Sequence, residues 1–163
     1  MGIRVNELSG LLFEERETLE LLRFKLEELN LLLVAGKAEW VARATSEIEK
    51  VLERVHHVGL KRALVARQVA SDWDISPEAT LSELAEHAPD GPWGEILTSH
   101  LGALREITAA IATVRDSNAQ YLRAVRRSTQ EALSNIEDHT GAYGPTGSAG
   151  TGHADAQIID TSL

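Results

Sequence analysis

The chain has 163 residues, enough for one domain of ordinary size, and its 43% hydrophobic but only 4% aromatic content suits helices packed through aliphatic side chains. A formal charge of -9 excludes a sequence-independent grip on nucleic-acid backbones, which needs clustered Lys and Arg, and the lack of cysteine excludes disulfides and thiolate metal sites. No apolar run approaches the roughly 20 residues that span a bilayer, and the start MGIRVNELSG lacks the basic-then-apolar order of a signal peptide, so the sequence predicts a soluble, cytoplasmic protein without stable membrane insertion.

The first helix is predicted over Val5 to Ala35. Val5, Leu8, Leu12, Leu19, Leu22, Leu26, Leu29 and Leu33 recur at alternating steps of three and four, which is a heptad seam with Glu15 as its only charged member. Leu11, Leu21, Leu31 and Leu32 widen that stripe, a pattern that calls for two neighbouring helices rather than one. Gly36 offers the left-handed conformation that commonly ends a helix, and Lys37 begins the return of an antiparallel hairpin. The second helix, from about Trp40 to Val69, repeats the seam at Val41, Ala44, Ile48, Val51, Val55, Val58, Val65 and Val69, interrupted by Arg62.

After Trp73, the residues Asp74, Ser76 and Pro77 break the pattern, and Thr80-Leu81-Ser82-Glu83 reads as a capping box opening a short connector helix to His87. Pro89, Asp90, Gly91 and Pro92 form a second break. A last helix is predicted from Pro92 to Asp138, with Leu97, Leu104, Ile107, Ile111, Val114, Tyr121 and Val125 on one stripe and His100 and Asn118 as polar members that set register. At 1.5 Å per residue the first two helices are each roughly 50 Å long and the last roughly 70 Å. If Trp93 lies level with Trp73, the last helix overhangs the hairpin beyond about Arg126, leaving Ala132, Leu133 and Ile136 without an internal partner. From His139 the chain turns Gly-rich, with no Lys or Arg after Arg127, so a folded domain over 1–138 and a disordered tail over 139–163 are expected.

Catalytic chemistry finds little support. Glu53-x-x-His56 has the spacing used in helical di-metal carboxylate sites, but it occurs once, and Glu15 is the only inward carboxylate. Adjacent His56 and His57 point about 100° apart on a helix, so they do not share an ion unaided. No phosphate-cradling Gly-rich loop and no nucleophile with a positioned base appears. Arg123, Arg126 and Arg127 form a compact basic cluster, read as a solvated face near a helix C-terminus or as a contact for an acidic partner. Trp40, Trp73 and Trp93 fall near helix ends, where they cap the core. Tyr143 stands in the Gly-rich tail, where an aromatic residue reads as part of a short recognition motif.

Taken together, these features resemble the FlgN family of flagellar type III export chaperones over nearly the whole chain. The likeness rests on the leucine-rich first helix, the turn Val34-Ala35-Gly36-Lys37, the second helix, the connector over 74–92, the long last helix and the polar tail. Within the last helix, Asn118 followed by Tyr121-Leu122 matches the second of the family's two Asn and the apolar pair after it, with Arg115 in place of the first Asn. In the tail, Tyr143-Gly144-Pro145-Thr146-Gly147 is similar to the family's Tyr-Gly-x-x-Gly element.

The resemblance implies an all-α, coiled-coil-like hairpin with a connector helix, a long third packing helix and a disordered C-terminal tail. It implies a non-enzymatic cytoplasmic chaperone without a cofactor or metal. Such a protein binds the C-terminal regions of the hook-filament junction proteins, of FlgK and FlgL type, prevents their early assembly and delivers them to the export gate protein, of FlhA type. The client surface then maps to Asn118, Leu122, Val125, Thr129, Ala132, Leu133 and Ile136, and gate docking to Tyr143, Gly144 and Gly147, in a monomer or weak dimer. The rival readings are a coiled-coil structural or adaptor protein that self-associates with no client delivery, and a helical metal enzyme.

Overall fold

The computed structural model describes residues 2–141, with side chains described as far as His139. Four helices follow in order, α1 (Gly2–Val34), α2 (Ala38–Asp72), α3 (Leu81–Glu86) and α4 (Trp93–Gly141), and the described residues contain no strand. The all-α hairpin with a connector and a long last helix is therefore the architecture found. The chain divides into two units, one ending at Tyr121 and one beginning at Leu122, so α4 contributes to both.

α1 and α2 form the hairpin that the heptads specify. Val5, Leu8, Leu12, Leu19, Leu22 and Leu29 are buried against Ala44, Ile48, Val51, Val58, Val65 and Val69. Leu26 and Leu33 sit at the margin of the same core, whereas Leu21 and Leu31, expected to widen the stripe, face water at 37% and 68% exposure. Those two leucines lie on the far side of α1, away from the seam, where no described residue buries them. Thr18, a position the heptad count passes over, is buried instead, and its hydroxyl donates to the Glu14 carbonyl at 2.8 Å.

Both long turns close in the same way. At the end of α1 the Lys37 N–H donates to the Leu32 carbonyl at 2.9 Å and Gly36 N–H to Leu33 at 3.2 Å, with Gly36 at φ +66°. At the end of α2 the Ile75 N–H donates to the Ala70 carbonyl at 2.8 Å and Asp74 N–H to Ser71 at 3.3 Å, with Asp74 at φ 54°. This is the 6→1 and 5→2 pairing that satisfies the last carbonyls of a helix, and Asp is one of the few residues other than Gly that tolerates the left-handed conformation. Asp74 is thus a built stop rather than a mere interruption of the pattern.

Ion pairs set the hairpin register. Arg4 pairs with Asp72, Glu15 with Arg62 at 2.7 Å and Lys25 with Glu47 at 2.9 Å, so partners descend α2 as they climb α1. Glu47 is held below the usual carboxylate range by its hydrogen bond from Lys25, and that bond in turn raises the Lys25 ammonium. The two charged members of the seams, Glu15 and Arg62, therefore meet. Glu15 is not isolated, and the N–H of Arg62 Nε is not aimed at the carboxylate oxygen, so charge rather than a well-directed hydrogen bond holds the pair. The pair separates two hydrophobic clusters, one around Leu8, Leu12, Val65, Val69, Leu84 and Leu97 and one around Leu19, Leu22, Leu29, Ile48, Val51 and Ile107.

α3 opens with the expected capping box: Thr80 Oγ1 accepts from Glu83 N–H at 3.2 Å while the Glu83 carboxylate accepts from Thr80 N–H at 2.6 Å. That backbone bond holds the Glu83 carboxyl low. Leu84 is fully buried beneath the helix, and Trp73, Ile75 and Trp93 pack around the same cluster. Pro92 precedes the last helix rather than opening it, its carbonyl accepting from Ile96 N–H at 3.0 Å. At Gly94 two stretches of backbone approach closely: a Cβ there would lie 3.1 Å from the Ala85 carbonyl oxygen and would push that backbone back by a few tenths of an ångström.

Up to Tyr121, α4 runs parallel to α1, fixed by two polar links. Ser9 Oγ and His100 Nε2 are 2.9 Å apart, and farther along Asn30 Nδ2 donates to Asn118 Oδ1 at 2.9 Å while Asn118 Nδ2 donates to the Leu26 carbonyl at 2.9 Å. His100 and Asn118 are the register devices expected of polar residues in a seam.

Burial, with Arg16 adding to it, lowers the His100 pKa, so the folded ring gives up its proton at a lower pH than an ordinary histidine. The unfolded chain takes up its proton first as pH falls through about 6.5, so stability is lost from there downward and levels off below the folded pKa. The melting temperature should therefore fall more steeply from pH 7.5 to 5.5 than in His100→Gln. Paired melting curves check this, and identical pH profiles would remove His100 from the account.

Candidate functional site

The helical period keeps one face of α4 in phase along its length. Before Tyr121 that face is core: Leu97 and Ile107 are buried, and Leu104 and Ile111 pack beside them. The same phase continues as Leu122, Val125, Thr129, Ala132, Leu133 and Ile136, and there every residue through His139 is exposed. Leu122 is 42%, Val125 51%, Leu133 56% and Ile136 60% exposed. Thr129 donates its hydroxyl to the Val125 carbonyl at 3.0 Å, which spends its polar group within the helix. A contiguous apolar stripe left in water is the usual mark of a surface that a partner covers.

Asn118 does not share this surface. It is only 3% exposed and its amide is used by Asn30 and the Leu26 carbonyl, so its side chain acts within the bundle, and the exposed stripe begins at Leu122. The expected client residues are thus divided between a buried polar link and an open apolar face.

A second exposed apolar face was not anticipated from the heptads. Both phenylalanines of the chain, Phe13 at 53% and Phe24 at 57% exposure, lie with Leu31 on the outer side of α1, opposite the seam. Their spacing of eleven and seven residues returns to one helical face, a signal hidden behind the stronger leucine repeat. Trp40 also departs from expectation: it is half exposed beside Leu32, Ala44 and Glu47, whereas Trp73 and Trp93 cap the core.

Glu53 and His56 sit exposed on α2 beside Glu49 and Leu52. Among the described residues, no group of three or more His, Asp or Glu side chains is placed to hold a metal ion.

The sequence profile of the FlgN protein family matches residues 1–151. This chain belongs to the FlgN family. Comparisons with curated proteins and with solved structures returned no match. FlgN proteins are flagellar export chaperones and not an enzyme family. None of the described helices is long and apolar enough to cross a membrane. The FlgN match extends through Tyr143, Gly144 and Gly147, the expected gate-docking residues, which lie outside the described residues.

Proposed function

We propose that this FlgN protein works in the cytoplasm, where it covers the C-terminal regions of junction proteins of FlgK and FlgL type and delivers them to an export gate protein of FlhA type. The exposed stripe Leu122, Val125, Ala132 and Leu133 carries the reading, because an amphipathic client helix laid on it would replace water with apolar contact. Residues 1–138 serve as the client-holding part and 139–163 as the segment that presents Tyr143. Such a tail needs little from the fold, since one aromatic side chain can carry much of a short motif's binding energy.

Two variants in one experiment separate holding from delivery. Replacing Leu122, Val125 and Leu133 together with Ser should weaken binding of a FlgK-type C-terminal region by on the order of 100-fold, with the helical melting curve retained. Tyr143→Ala should keep that affinity and lose gate contact and secretion. Calorimetry and a secretion assay read the two arms. Unchanged client affinity in the first variant, or normal secretion in the second, would remove the corresponding role. The outer face with Phe13, Phe24 and Leu31 favours the rival, a self-associating adaptor; concentration-dependent sedimentation of the full chain, with no client binding, would establish that instead.

A further inference from the structure

α2 also turns a face of exposed residues away from the seam. Leu52, His56, Leu60 and Leu64 follow one another there at steps of four, and all four are exposed. Single exposed leucines are ordinary on a protein surface, but three on one row of a helix form the kind of ridge that packs against another helix. Eighteen residues, or five turns, separate Glu49 from Arg67, so both point along the middle of this face, with Glu53 a little to one side. From Ala42 to Ser71 these three are the charged side chains within about 60° of its centre. Neither carboxylate has an ion pair among the described residues, and Arg67 has one open contact, with the exposed Glu78 at 3.4 Å.

The pattern is symmetric about the level of Val58. Glu49 and Arg67 stand equally far from it, as do Leu52 and Leu64, and His56 and Leu60. We propose that two copies of this chain pair through this face, α2 against α2 in antiparallel order. Arg67 of each copy then comes level with Glu49 of the other, with Glu53 within its reach. His56 comes level with Leu60 of the other copy, and Leu52 and Leu64 close the two sides. The surface is its own complement, which is what a two-fold contact requires. A parallel pairing would set acid against acid and is opposed by charge. One helix face per copy buries less than a permanent dimer does, so the association is weak and reversible.

Sedimentation of the full chain over a range of concentrations, with the helical melting curve as the control for folding, tests this. The parent chain should dimerise, and client binding by the same chain would leave the chaperone reading in place. Arg67→Glu makes the face wholly acidic, and Glu49→Arg with Glu53→Arg makes it wholly basic, so each variant alone should self-associate roughly tenfold more weakly. An equal mixture of the two should dimerise at least as well as the parent, because each supplies the charge that the other lacks. Both variants keep a negative net charge, so overall attraction does not explain such a recovery. Leu60→Ser should weaken association of the parent. A parent chain that stays monomeric up to about 1 mM would overturn the proposal. Variants that associate as the parent does would overturn it too and move the contact to another face, such as that of Phe13 and Phe24. Failure of the mixture to recover would overturn the antiparallel order.

Discussion

Leu22→Asp should abolish cooperative folding of the hairpin. Leu22 is 5% exposed and belongs to the cluster with Leu19, Leu29, Ile48 and Val51. The substitution removes an apolar side chain and puts a carboxylate into an apolar cluster, at a cost of about 4 kcal/mol or more. That is a large share of the stability of a domain this size. Leu26→Asp should be milder, because Leu26 lies at the margin of the cluster and a carboxylate there can turn toward water. Circular dichroism and urea unfolding read both variants, and equal stability of Leu22→Asp and the parent chain would show that the seam is misassigned.

Arg62→Met should destabilise by about 2 kcal/mol, less than a fully buried pair would lose, because one third of the Arg62 side chain reaches solvent. The loss comes from Glu15, whose side chain is only 12% exposed and would be left without its countercharge. Adding Glu15→Leu to Arg62→Met should restore the unfolding midpoint or raise it, since a buried pair replaced by apolar side chains often costs nothing. The polar layer between the two clusters would then be a device for register rather than for stability. A double variant as unstable as the single one would show instead that the charges themselves hold the hairpin together.

The sequence by itself determined the helices, their order and their inner faces. Heptad spacing put Val5, Leu8, Leu12, Leu19 and Leu22 on one stripe and Val58, Val65 and Val69 on another, and local chemistry marked Gly36 and the Thr80–Glu83 box, because periodicity and capping act over a few residues. It also carried the family, whose match runs through residue 151. Only the tertiary structure decided that Glu15 meets Arg62, that Asn118 is spent on Asn30 and Leu26, and that Phe13 and Phe24 face water. These depend on which residues distant in the chain come level with one another, and helical phase fixes the face a residue occupies but not the partner that arrives there.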